Sequence, residues 1–170
     1  MSNRLRGVTG SLSKVLSFSE ISGGMQAKVD FTITREDMRA FGEVSGDLNP
    51  VHVDGEFARA KGFKGEVAYG ALIVAKISKL IGMELPGRDS VWFSLSVQFL
   101  KPLYVGERAQ VEGEVVRVAA GTRLVSLKLT VRAGEGLETV VAKGKAEVQV
   151  RVAGEKAEKL TQGTDRTGEE

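Results

Sequence analysis

The chain has 170 residues, 42% hydrophobic and 27% charged, with 24 basic against 22 acidic side chains for a net charge of +2. That balance suits a single globular domain that buries about 70% of its unfolded surface, and it excludes disorder of the whole chain. It is also too little positive charge for a protein that tracks nucleic-acid phosphates, and no apolar run approaches the ~20 residues that span a bilayer. The absence of cysteine removes disulfides, thiolate metal sites and a cysteine nucleophile, and with His52 as the single histidine a zinc centre is disfavoured. No metal, nucleic acid or membrane is expected as a partner, and the expected location is cytoplasmic.

Residues 1–24 carry Arg4, Arg6 and Lys14, several serines and no acid before Glu20. This reads as a polar, basic N-terminal extension, and its composition overlaps with that of organellar targeting segments. Residues 26–33 alternate around Val29 and Phe31, as a strand does. Thr34 with Asp37 three residues later forms an acidic variant of the capping box. It opens a helix whose apolar face is Met38, Phe41 and Val44, stopped by Gly46. Asp54 is the expected N-cap of a second short helix with Phe57 and Ala58 inward and Gly62 as its end.

Residues 70–82 are apolar almost all round, the pattern of a helix enclosed by a curved sheet. Four strand-like stretches follow. Residues 91–100 place Val91, Phe93, Leu95, Val97 and Phe99 on one face, with Trp92, Ser94, Ser96 and Gln98 on the other. Residues 107–118 are the next strand. Residues 122–131 group Val125, Leu127, Leu129 and Val131, and residues 139–152 group Ala142, Ala146, Val148, Val150 and Val152. Gly106, Gly121, Gly134 and Gly136 mark the turns between them, so an antiparallel meander is expected. Residues 154–170 hold one large aliphatic, Leu160, and read as a flexible tail. The folded domain is therefore expected at about residues 25–153, with an α+β, hot-dog architecture of about five antiparallel strands wrapped on a long central helix.

One stretch departs from scaffold chemistry. Asp47, Asn49 and His52 fall within six residues, in a segment that follows a helix and contains Gly46 and Pro50. Pro50 fixes its own φ and restrains Asn49, which helps an acid and an imidazole converge instead of alternating. A carboxylate and an imidazole that share one water make a general acid/base pair. Taken alone, the same turn also serves as a capping or Asx-turn device. A calcium loop is disfavoured, because Val51 and His52 stand where it needs an oxygen ligand and a glycine.

At these residues the sequence resembles a known family. Gly46-Asp47-Leu48-Asn49-Pro50-Val51-His52, with Ala58 after five more residues, is similar to the signature of (R)-specific enoyl-CoA hydratases (hydratase 2) and MaoC-like dehydratases. The likeness continues through residues 57–63 and 67–72. It extends to Phe99, Pro102, Gly106 and Glu107, which resemble the family's entry into its later sheet. The resemblance implies a hot-dog homodimer that adds water reversibly across the double bond of a trans-2-enoyl thioester, carried on coenzyme A or acyl carrier protein, with no cofactor. It implies catalysis by Asp47 and His52 on a bound water, with Asn49 as an orienting residue. The oxyanion donor is read as the backbone N–H of Gly70, at the positive end of the apolar helix, with room for helix–sheet contact as that glycine's plainer role. The family commonly has histidine before that glycine, where this chain has Tyr69.

Related readings on the same fold are a 3-hydroxyacyl-[acyl carrier protein] dehydratase, an acyl-CoA thioesterase using Asp47, or a non-catalytic thioester-binding partner subunit. Lys61 and Lys64 are candidates to meet the phosphates of coenzyme A or an acidic carrier, with surface solvation as the plainer role. Trp92, Phe93 and Phe99 are candidates to line an acyl pocket, with plain core as the commoner role for aromatics alternating on a strand.

Overall fold

The computed structural model describes residues 12–151. Chain order is β1 (Gln26–Thr32), α1 (Arg35–Ser45), α2 (Pro50–Val53), α3 (Gly55–Ala60), α4 (Gly70–Met83), β2 (Ser90–Phe99), β3 (Arg108–Ala119), β4 (Leu124–Ala133) and β5 (Thr139–Val150). The capping box forms as the sequence predicts: the Asp37 N–H donates to Thr34 Oγ1 at 3.1 Å, and the Thr34 N–H donates to Asp37 Oδ2 at 2.9 Å. Gly46 ends α1 in the left-handed region at φ 71°, a conformation glycine adopts without a Cβ clash. Met38 is buried on α1, but Val44 and, on α3, Phe57 are exposed, so neither belongs to the expected inward face.

The five strands form one antiparallel sheet in the order β1-β3-β4-β5-β2. Only β3, β4 and β5 are a meander. β2, expected beside β3, pairs instead with β5, which leaves β1 and β2 as the two edges. α4 contacts β3 and both edge strands, and a helix reaches both edges only when the sheet curls around it. This is the hot-dog arrangement.

Ile73, Ile77, Leu80 and Ile81, at helical spacing, are the buried residues of α4. Leu80 seats on a gap in β3, where a Cβ on Gly113 would come within 2.8 Å of its Cδ2. The opposite side of α4 exposes Ala71, Ala75, Ser78 and Lys79. The helix is thus enclosed on one side and not all round, because one sheet covers only the face turned toward it.

The face assignment in β2 also changes. The register slips between Trp92 and Ser94, a bulge that adds Phe93 and switches which parity points inward. Trp92, Leu95 and Val97 pack on the core, whereas Val91, Phe93 and Phe99 are each about half exposed. Val152 lies outside the described residues.

Part of the N-terminal extension is attached to the body. The Lys14 N–H donates to the Met83 carbonyl at 2.9 Å, the Arg88 N–H donates to the Lys14 carbonyl at 3.0 Å, and Val15 bridges Gly87. Leu16 and Phe18 pack against the core, and Ile21 is buried within it. The body therefore takes in residues from Lys14 onward, ahead of the expected start at 25. The arginines at 4 and 6, and the tail at 154–170, lie outside the described residues. Among the described residues no helix is long and apolar enough to cross a membrane.

Candidate active site

The segment after α1 is shaped by short polar side chains that replace missing backbone partners. Ser45 Oγ donates to the Phe41 carbonyl at 2.7 Å and accepts from the Asp47 N–H at 3.2 Å. Asp47 Oδ1 accepts from the Asn49 N–H at 3.0 Å, and Asn49 Oδ1 from the Val51 N–H at 3.2 Å. These are successive Asx turns, and the second also caps α2 with Pro50 in its first turn. The capping and Asx-turn role of this motif is therefore met in full. The turns consume one oxygen of Asp47, and among the described residues no side chain or N–H donates to Oδ2.

His52 lies on α2, half-buried, with Nδ1 2.7 Å from the Val67 carbonyl. A carbonyl only accepts, so Nδ1 carries the hydrogen of the neutral ring and Nε2 is left as a base. The Val67 N–H in turn donates to the Val51 carbonyl at 3.1 Å, which ties α2 to the strand-like run before α4.

Tyr69 sits between the two candidate groups. It is only 2% exposed, and its hydroxyl donates to the Asp47 main-chain carbonyl at 2.5 Å. Its ring lies 4.1 Å from the His52 ring and 4.8 Å from Phe41, centroid to centroid. Burial and, secondarily, the nearby Asp47 charge raise the Tyr69 pKa, so the hydroxyl stays protonated and remains a donor. The sequence marks Tyr69 as a departure from the family pattern, but no periodicity signals that its hydroxyl reaches back 22 residues to Asp47.

His52 lines two clefts. One, of about 460 Å³, is walled by Phe63, Gly70, Phe99 and Pro102, with Lys101 among its lining. The other, of about 510 Å³, lies against α1 between Met38, Leu48 and Glu66. His52 and Gly70 thus share the first cleft, while Asp47 is exposed and lines neither. Among the described residues no hydrogen bond joins the Asp47 carboxylate to the His52 ring; Tyr69 is their common contact. Asn49, also exposed, acts on the turn through its cap.

Gly70 begins α4, where the helix leaves its first N–H groups without intrahelical acceptors, and among the described residues no acceptor outside the helix is seen for its N–H. A Cβ there would come within 2.8 Å of Phe99 Cζ, so this glycine also lets the Phe99 ring lie on the helix start. Phe99, for which the sequence leaves both core and pocket lining open, is a cleft wall. Lys64 lies elsewhere, beside Arg35 and Arg59 around a third cleft, and Lys61 covers the Phe57 ring. Among the described residues no three His, Asp or Glu side chains group as metal ligands.

The chain as a whole is similar to known proteins. The MaoC like domain model matches residues 17–137. The 3-hydroxybutyryl-CoA dehydratase of Methylorubrum extorquens is 31% identical over 137 residues, covering 81% of this chain and 85% of that protein. The (R)-specific enoyl-CoA hydratase of Aeromonas caviae is 29% identical over 112 residues, covering 66% of this chain and 84% of that protein. The solved structure of the (R)-hydratase from A. caviae involved in PHA biosynthesis has the same fold, with a TM-score of 0.73 at 27% identity over 77% of this chain and 98% of that one.

Proposed function

The chain belongs to the MaoC-like domain family and is a hydro-lyase of the hydratase and dehydratase kind, and from that premise we propose that it adds water reversibly to trans-2-enoyl-CoA thioesters to give the (R)-3-hydroxyacyl products. The observation that carries this reading is the His52 ring: Nδ1 is held by the Val67 carbonyl, in the wall of a cleft that also contains Gly70.

Hydration needs a base for water as its oxygen attacks C3, a proton for C2, and a donor for the thioester oxygen as enolate charge develops. His52 Nε2 takes one proton from the water. The free Asp47 Oδ2 accepts the other hydrogen and aims the water's lone pair at C3. The enolate collapses as the His52 imidazolium returns its proton to C2, so hydroxyl and hydrogen add across the bond and His52 ends neutral. The Gly70 N–H, at the positive end of a helix of 14 residues, hydrogen-bonds the thioester oxygen. Phe99 and Pro102 give the apolar walls that exclude competing water, and Lys101 offers positive charge to the carrier's phosphates.

The partner of this chain is proposed to be a second copy. The half-exposed Val91, Phe93 and Phe99, with Leu100 just beyond, cluster on an edge strand whose hydrogen bonds a matching strand would complete.

The stereochemical part of the proposal is tested in the dehydration direction. Given (R)- or (S)-3-hydroxybutyryl-CoA separately, the enzyme is expected to generate enoyl-thioester absorbance from the (R) isomer alone. Turnover of the (S) isomer contradicts the assigned face, and release of free thiol from either marks a thioesterase instead. Parallel assays on the acyl carrier protein thioester fix the carrier.

A further inference from the structure

Tyr69 is too well placed for a residue that merely fills the core. A buried tyrosine usually spends its hydroxyl on any acceptor within reach. Here the acceptor is the main-chain carbonyl of Asp47 itself, on an otherwise exposed turn, and the same ring is layered between Phe41 and His52. Among the described residues the other hydrogen bonds of Asp47, with Ser45 and the Asn49 N–H, are local. The hydroxyl therefore joins the Asp47 turn to the buried ring that lies against His52. Gly42 leaves the room for it, since a Cβ at that position would lie 3.2 Å from the Tyr69 oxygen and 3.7 Å from the Asp47 carbonyl.

We propose that Tyr69 is a positioning residue for the hydration reaction, acting through Asp47: its hydroxyl holds the Asp47 turn at the distance from His52 at which both groups meet one water. The inference rests on the assignment of Asp47 and His52 as the water-handling pair. Misplacing such a group by about an ångström costs on the order of 10²-fold in rate, although neither partner is removed. Binding of the thioester, which depends on the Phe99 and Pro102 walls, is not touched.

The test is a double-mutant cycle with two independent ways of releasing that hold. Tyr69→Phe keeps the ring stack and removes the hydroxyl; Gly42→Ala keeps Tyr69 and crowds its oxygen, while raising the helix propensity of α1. Tyr69→Phe is expected to lower kcat roughly 10- to 100-fold with KM within about threefold, and Gly42→Ala to lower kcat about three- to tenfold without a lower melting temperature. In an Asp47→Ala background, neither change is expected to cost more than about twofold further, because the group they position is gone. A purely structural tyrosine would instead lower the melting temperature and cost the same in both backgrounds.

The proposal is overturned if Tyr69→Phe retains kcat within twofold, or if its cost is undiminished in the Asp47→Ala background. Should Tyr69→Phe not fold, the Gly42→Ala arm decides alone by the same criteria. Failure here is distinct from failure of the functional assignment, which would appear as a wild-type enzyme with no hydration to lose, or as an Asp47→Ala enzyme with wild-type rate.

Discussion

In the proposed mechanism, His52 is oriented by the nitrogen that takes no part in the chemistry. The bond from Nδ1 to the Val67 carbonyl sets the tautomer, and as the chain's single histidine its ring nitrogens give an unambiguous NMR signal. The expected result for the neutral ring is Nδ1–H with an unprotonated Nε2; the opposite tautomer would contradict the assigned base. At Gly70 the glycine serves two ends, an open N–H and room for Phe99. Gly70→Ala is expected to leave stability within about 1 kcal/mol, since the ring it meets is half exposed and can swing outward. Turnover should fall at least tenfold as the cleft wall moves, checked by parallel denaturant melts and hydration rates. Asp47, Asn49 and His52 stand out in the sequence because chemistry-bearing residue types crowd a short turn. The contacts of Tyr69 with Asp47 and of Phe99 with Gly70 were not readable, because they span 22 and 29 positions and follow from the path of the whole chain.

Among the elements, α1 depends on its first turn. Thr34→Ala is expected to cost about 1 kcal/mol in chemical denaturation. Hydrogen bonds from the Thr34 N–H, and then its hydroxyl, lower the Asp37 pKa in the folded protein despite partial burial. A carboxylate with a depressed folded-state pKa adds stability above its unfolded value, near 4, and loses it as pH falls through the folded value. Asp37→Asn should therefore flatten the stability profile below about pH 4 and leave the difference from wild type constant above pH 6. A second joint is Gly87, at φ 97° and with a Cβ position blocked by the Lys14 carbonyl. Gly87→Ala is expected to destabilise by about 1–3 kcal/mol by lifting the N-terminal strap. The α1 cap and the α4 apolar run are local signals and were legible. The bulge at Phe93 was not, because a register slip is a compromise between β2 and its partner β5, and no alternation within residues 91–99 carries it.

On the scale of the whole molecule, the sheet order puts the half-exposed run of β2 on an edge beside the candidate cleft, with Phe99 common to both. That order was hidden in the sequence, since short connections favour neighbours and β2 nonetheless crosses to β5. Phe93→Glu places a charge on that edge and is expected to shift the protein from dimer to monomer in sedimentation velocity; an unchanged dimer would move the interface elsewhere. The central claim is that a water held between Asp47 and His52 adds to an enoyl thioester. Its most direct test is the rate of loss of enoyl absorbance with crotonyl-CoA for wild type, Asp47→Asn and His52→Ala, each verified as folded. The account predicts active wild type and a loss on the order of 10²–10⁴-fold in kcat for each variant. Wild-type rates in either variant would contradict it.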